Sequence, residues 1–126
     1  MGGWNAVTFF TYILASRRNG TLYTGSTEDL ITRMGQHRTG ALGGFTARYG
    51  VRTLVWYERH ETRDAAFRRE RQIKKWNRAW KLELIERFNP DWRDLHDDVR
   101  LGTLADVANW VPASAGMSGD GDRDGA

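Results

Sequence analysis

Cysteine is absent from the 126-residue chain, which excludes a disulfide framework and a thiolate zinc site. Histidine is scarce too: His37, His60 and His96 stand too far apart in sequence to suggest a local metal knot. No apolar run approaches the roughly 20 residues that cross a bilayer. The opening residues also lack the basic segment and long apolar stretch of a signal peptide. A soluble, cytoplasmic protein with no membrane association is the expectation. The length allows one domain of ordinary size, since a second core would be too small to stand without staples.

What is abundant is positive charge, unevenly spread. The net charge is only +3. Residues 33–81 nevertheless hold 13 basic groups against 4 acidic ones, whereas residues 82–126 hold 4 against 10. A block of that density attracts a polyanion and gives salt-dependent binding through counterion release. Charge alone fits a solvated helix surface equally well.

Periodicity orders the chain. Phe9–Leu14 is apolar and β-rich, and Asn19-Gly20 supplies a tight turn into a returning strand at Thr21–Thr24. Ser26 or Thr27 is the expected cap of a helix with Glu28 and Asp29 in its first turn and Gly40 just beyond its end. Leu30, Arg33, Met34 and His37 share one face of it. The glycine-rich stretch 40–50 reads as an irregular loop, and Thr53–Glu58 as a third strand. Thr62 caps a basic amphipathic helix, and a further helix over Ala79–Phe88 stops at Asn89-Pro90. Leu101–Trp110 suits a short helix, and 113–126 is too poor in large apolar groups to fold, so it reads as a disordered acidic tail. The fold class expected is α+β: a small three-stranded antiparallel sheet flanked by helices, in the order β-β-α-β-α-α.

On this frame the unusual residues form a pattern. Thr11-Tyr12-Ile13 and Tyr23-Thr24-Gly25 place two tyrosines with ten residues between them. Arg33 and His37 then form Arg-x-x-x-His, Glu70 lies within Arg69-Glu70-Arg71-Gln72-Ile73-Lys74-Lys75-Trp76, and Asn89-Pro90-Asp91-Trp92 follows. Phe45-Thr46 and Tyr57-Glu58 belong to the same ordered set. In this the sequence resembles the GIY-YIG nuclease superfamily, in particular its small single-domain bacterial branch, over roughly residues 8–95. The resemblance implies a nuclease-like domain over 1–95, followed by an extension over 96–112 and the tail.

It further implies catalytic roles for Tyr12, Tyr23, Arg33, His37 and Glu70, with Glu70 as the one metal-binding carboxylate. The family commonly has an asparagine about a dozen residues after that glutamate; here the region reads Lys81-Leu82, and Asn77 comes too early to be an assured substitute. Lys81 is the candidate for a phosphate-orienting role.

The residues argue for the same cluster independently. Tyr12 falls on the strand face of Phe10 and Leu14, and a buried phenol needs a partner or a cleft. Each tyrosine alone is more often a core aromatic. Glu70, four after Ala66 and three before Ile73, puts a carboxylate on the small apolar side of a helix. Burying it unpaired is costly, so it needs either an arginine partner or a divalent metal. One carboxylate with waters suits Mg²⁺, or Mn²⁺ in its place. For Tyr12 to act as a base, cationic surroundings would have to lower its pKa from about 10.

The expected function is a metal-dependent endonuclease cutting phosphodiester bonds in nucleic acid, DNA favoured over RNA, in a repair or structure-specific role and with no small-molecule cofactor. Arg38, Arg48, Arg52, Arg68, Arg71, Lys74, Lys75, Arg78 and Lys81 are candidates for sequence-independent phosphate contacts. Trp76 and Trp80 fit the core better than a stacking surface, and His60 and His96 read as ordinary surface residues. The alternatives are a nucleic-acid-binding module with weak or lost catalysis, and a protein-interaction domain.

Overall fold

The computed structural model describes residues 8–41 and 43–96. The expected helix at Leu101–Trp110, the tail, and nearly all of the 96–112 extension lie outside the described residues. Three strands, β1 (Phe9–Ala15), β2 (Leu22–Thr27) and β3 (Thr53–His60), form one antiparallel sheet in the order β2-β1-β3. The helices are α1 (Leu30–Thr39), α2 (Gly44–Tyr49), α3 (Arg63–Lys74) and α4 (Arg78–Phe88). The α+β class and the three-stranded sheet are as expected, with one helix more than the order predicted.

Side-chain alternation along β1, the central strand, divides the core in two. Tyr12 and Leu14 face Leu30 and Met34 of α1, with Val51, Leu54, Tyr57 and Leu95. Ile13 and Ala15 face Ile73 of α3 and Leu84 and Ile85 of α4, with Val55, Trp56, Trp76 and Trp92. Trp80 packs at the margin of that second cluster with its ring edge-on to Trp76, so both tryptophans serve the core.

The hairpin closes through Ser16–Thr21, where Ser16 N–H donates to the Thr21 carbonyl at 2.9 Å. Only Asn19 of the Asn-Gly pair takes positive φ, at 58°; asparagine tolerates that region because its short side chain bonds locally. β2 also continues past Thr24 to Thr27. Asp29, and not Ser26 or Thr27, caps α1: its carboxylate accepts from Thr32 N–H. Glu28 lies outside the helix and pairs with Arg63 at 2.9 Å. Gly40 closes α1 in the left-handed conformation that glycine adopts without strain.

A bulge interrupts the β1–β3 pairing at Ile13 and Leu14, whose partners are Trp56 and Leu54. Val55 is thus the extra residue, and its carbonyl accepts from Asn89 Nδ2 at 3.2 Å. Asn89 also donates to the Arg93 carbonyl at 2.8 Å and accepts from Arg93 N–H. The Asn-Pro-Asp-Trp segment therefore staples the chain beyond α4 to the bulged strand. Leu95 N–H then donates to Leu54 O at 2.8 Å, which draws that segment onto β3.

Candidate active site

The site gathers at β2, an edge strand. Tyr12 on β1 pairs with Gly25 on β2, and its fully buried phenol lies across that glycine. A Cβ at position 25 would stand 2.6 Å from Tyr12 Oη and 3.0 Å from the Tyr23 ring. The bare backbone at Gly25 is what lets both tyrosines occupy this corner.

From α1, His37 meets them. Its Nε2 lies 3.2 Å from Tyr12 Oη and its Nδ1 3.0 Å from Thr46 Oγ1 on α2. The Tyr23 ring sits 5.5 Å from His37 and 6.3 Å from Tyr12. Burial, reinforced by Arg33, pushes the His37 pKa down, so the ring is neutral at pH 7. In the tautomer with Nδ1–H donating to Thr46, Nε2 is left to accept the phenol proton.

The pKa of Tyr12 moves opposite to the direction that base work at neutral pH would require. Burial drives it well above the ordinary phenol value, and Tyr23 raises it further. The charge of Arg33 pulls it down, and Glu70 pushes it up by a smaller amount. Desolvation wins because a fully enclosed hydroxyl loses more by leaving water than one half-buried guanidinium returns. Tyr12 is therefore a phenol at neutral pH.

Glu70 approaches from α3, 9% exposed. Ser26, next to Gly25, donates to its Oε1 at 2.6 Å, and Lys74 Nζ rests 2.6 Å from Oε2. The carboxylate's cation is thus a lysine one turn along, where the sequence had offered an arginine or a metal. Among the described residues no group of three or more histidine, cysteine or acidic side chains gathers to hold a metal. Glu70 is a lone carboxylate, a donor set that fits a strongly hydrated divalent ion taking its remaining contacts from water and phosphate; the Lys74 ammonium on Oε2 would have to yield to such an ion. Asn77 contributes nothing here: it caps α4 by accepting from Trp80 N–H.

The basic candidates divide. Lys74, Arg78 and Lys81 gather where α3 meets α4. Burial, then Arg78 and Lys74, lower the pKa of the half-buried Lys81. Arg78 donates to the carbonyls of Asn19 and Gly20 at 2.7 and 2.6 Å. Arg48 lies over the Tyr49 ring and Arg71 over Phe67, while Arg52 and Lys75 are exposed. Arg38 and Arg68 are instead paired with Asp94 and Asp64.

Sequence reasoning gave Ser26 and Thr46 no role at the site, although Phe45-Thr46 stood in the ordered set of segments. Neither has a recognisable signal alone, although register would have found Ser26, which pairs with Thr11 on the α3 side of the sheet. His60 also departs from expectation. It is largely enclosed and lies 3.1 Å from Glu58 Oε1, beside Arg69, which donates to Glu58 at 3.0 Å and lies over the Trp56 and Trp76 rings. His96 is half-buried.

Comparison with known proteins now bears on this geometry. The GIY-YIG catalytic domain matches residues 8–83. The chain belongs to the GIY-YIG family, a nuclease superfamily. It is also similar to the UPF0213 proteins of Staphylococcus aureus strains N315, MW2 and COL. Each is 36% identical over 77 residues, 61% of this chain and 93% of its own length. No solved structure matches the chain.

Proposed function

We propose that this GIY-YIG chain is a metal-dependent endonuclease that hydrolyses phosphodiester bonds in nucleic acid, with DNA the favoured substrate. The observation that carries this is the convergence on two adjacent β2 residues. The Tyr12 phenol, bonded to His37, ends over Gly25, and Ser26 holds the buried Glu70. A Mg²⁺ or Mn²⁺ on Glu70 would supply charge neutralisation at the scissile phosphate and at the leaving oxygen.

The chain's own residues do the rest. Tyr12, closed off from water in the free protein, orients the attacking water once bound substrate opens the corner over Gly25. As the water's oxygen bonds to phosphorus, the bond from phosphorus to the leaving sugar oxygen breaks; the water proton passes to Tyr12 Oη while the phenol proton moves to His37 Nε2, and the departing oxygen takes a proton from solvent. This relay does not require a phenolate at rest, which accords with the raised Tyr12 pKa. The neutral His37, with Nδ1 on Thr46, is poised to accept. Arg33 balances the developing phosphoryl charge through its planar fork. Lys74, Arg78 and Lys81 bind flanking phosphates, Lys81 standing where the family commonly has asparagine.

The test is a panel of linear, flapped and branched labelled DNA and RNA strands incubated with Mg²⁺, Mn²⁺ or EDTA. Products are expected with metal and not with EDTA, and Glu70→Ala and Arg33→Ala are expected to abolish them while the circular dichroism melt stays cooperative. Binding without metal-dependent products would favour a non-catalytic module instead. Cleavage at the wild-type rate by either variant would refute the assignment.

A further inference from the structure

Helix α2 has no counterpart in the expected order, and its composition is odd for a helix held by its own packing. Thr46 is its only buried residue, fixed on His37 Nδ1. Its two aromatic residues point the other way: Phe45 is 46% and Tyr49 50% exposed, and neither joins a core cluster. One helical turn apart, their rings are 4.8 Å between centroids and inclined at 48°. The Arg48 guanidinium lies 5.6 Å from the Tyr49 centroid.

This outward pair continues the active site. The Phe45 ring is 6.4 Å from Tyr23 at 30°, and Tyr23 leads to His37 and Tyr12. A row of rings thus runs from the reacting groups to the surface and ends in two half-exposed faces beside a cation. Large apolar groups left in water next to a site are informative in a way that isolated exposed residues are not.

We infer that Phe45 and Tyr49 form a platform on which an unpaired nucleobase stacks beside the scissile phosphate. The proposal rests on the nucleic-acid reading above and narrows its substrate class. A base inside a duplex has both faces covered by its neighbours, whereas an unpaired base offers a face to an aromatic side chain and its own phosphate to Arg48. The chemistry recognised is therefore a single strand, or the unpaired part of a flap or gap, and not continuous duplex. Because every base has a π face, the platform selects for strandedness more than for sequence.

The experiment measures binding in EDTA, where no cutting occurs. Fluorescein-labelled oligo-dT and the same strand fully paired with oligo-dA are titrated by anisotropy, alongside 2-aminopurine placed at successive positions of a single strand. Wild type is expected to bind the single strand at least about tenfold tighter than the duplex and to quench 2-aminopurine at one or two adjacent positions. Phe45→Ala/Tyr49→Ala should lose about tenfold or more in single-strand affinity, keep its duplex affinity, and lose the quench. Phe45→Leu/Tyr49→Leu, which keeps apolar bulk, should behave like the alanine pair, whereas Phe45→Trp should bind as wild type.

Equal affinity for single strand and duplex, or an equal loss on both in the alanine pair, would overturn the platform while leaving a nucleic-acid enzyme in place. Failure of wild type to bind either form would overturn both readings.

Discussion

Replacing Gly25 by alanine is the smallest change that tests how the site is built. Its φ is not in the left-handed region, so alanine meets no backbone penalty there and the whole effect comes from contact. The new methyl would lie 2.6 Å from Tyr12 Oη and 2.7 Å from Cζ, where ordinary contact begins at 3.4 Å. The phenol must therefore retreat by roughly 1 Å. It has little room to do so, being fully buried among Leu14, Leu30 and Met34, and the movement stretches its 3.2 Å contact with His37. Overpacking of this kind costs about 1–3 kcal/mol, a fall in Tm of roughly 5–20 °C for a domain of this size. A displacement of about 1 Å at the chemistry costs on the order of 10²-fold in rate. Thermal melts and single-turnover cleavage in Mn²⁺ read the two effects separately. Adding Tyr12→Phe to Gly25→Ala removes the clashing hydroxyl, and should restore part of the stability and none of the activity. A variant Gly25→Ala with wild-type Tm and rate would refute the argument that bare backbone makes space for the phenol.

Gly35→Ala is the contrasting case: Gly35 lies inside α1 with nothing within 4 Å of where a Cβ would stand, so the change should stabilise by about 0.5–1 kcal/mol and leave cleavage untouched, as a melt and a rate assay would show. Lys74→Met removes the cation seated on Glu70 Oε2. Because a half-exposed pair of this kind is worth about 0.3–1 kcal/mol, Mn²⁺ should bind about twofold to fivefold tighter by electron paramagnetic resonance titration, and weaker binding would contradict the competition. His37 and His60 both have folded pKa values lowered mainly by burial. The folded state therefore holds fewer protons than the unfolded one, and the stability they contribute is present above about pH 6.5 and lost as the pH falls below it. Tm should drop from pH 7.5 to 5.5, and less steeply in His60→Gln; an unchanged slope in that variant would count against the enclosure of His60.

Much of this is legible in the sequence because the informative residues carry their own periodicity. Tyr12 alternates with Phe10 and Leu14, Arg33 and His37 stand one turn apart on the α1 stripe, and Glu70 sits between Ala66 and Ile73, so the burial of Tyr12, His37 and Glu70 is readable, with Arg33 half-buried beside them. Thr62 caps α3 as expected, accepting from Ala65 N–H, since an isolated threonine before an acidic first turn is a local signal.

What stays hidden depends on contacts between distant segments. Helix α2 has four glycines in and around it and only Thr46 facing inward, so no apolar stripe announces it. Its order is imposed by a neighbour, through His37. Ser26 reads as a helix cap because its partner lies 44 residues away on α3, and the real cap, Asp29, reads as first-turn charge. The Val55 bulge cannot be seen before Asn89 is placed against it. The direction of the Tyr12 pKa is not readable for a related reason: a sequence shows how many cations are near in the chain, and not how completely a hydroxyl is enclosed.

The central claim is that the Tyr12 hydroxyl takes part in the chemistry that Glu70 supports. Tyr12→Phe removes that single oxygen and keeps the buried ring, so single-turnover cleavage in saturating Mn²⁺ isolates it. The expected result is a loss of about 10²–10⁴-fold with a cooperative melt retained; a Tyr12→Phe variant cutting within twofold of wild type would contradict it.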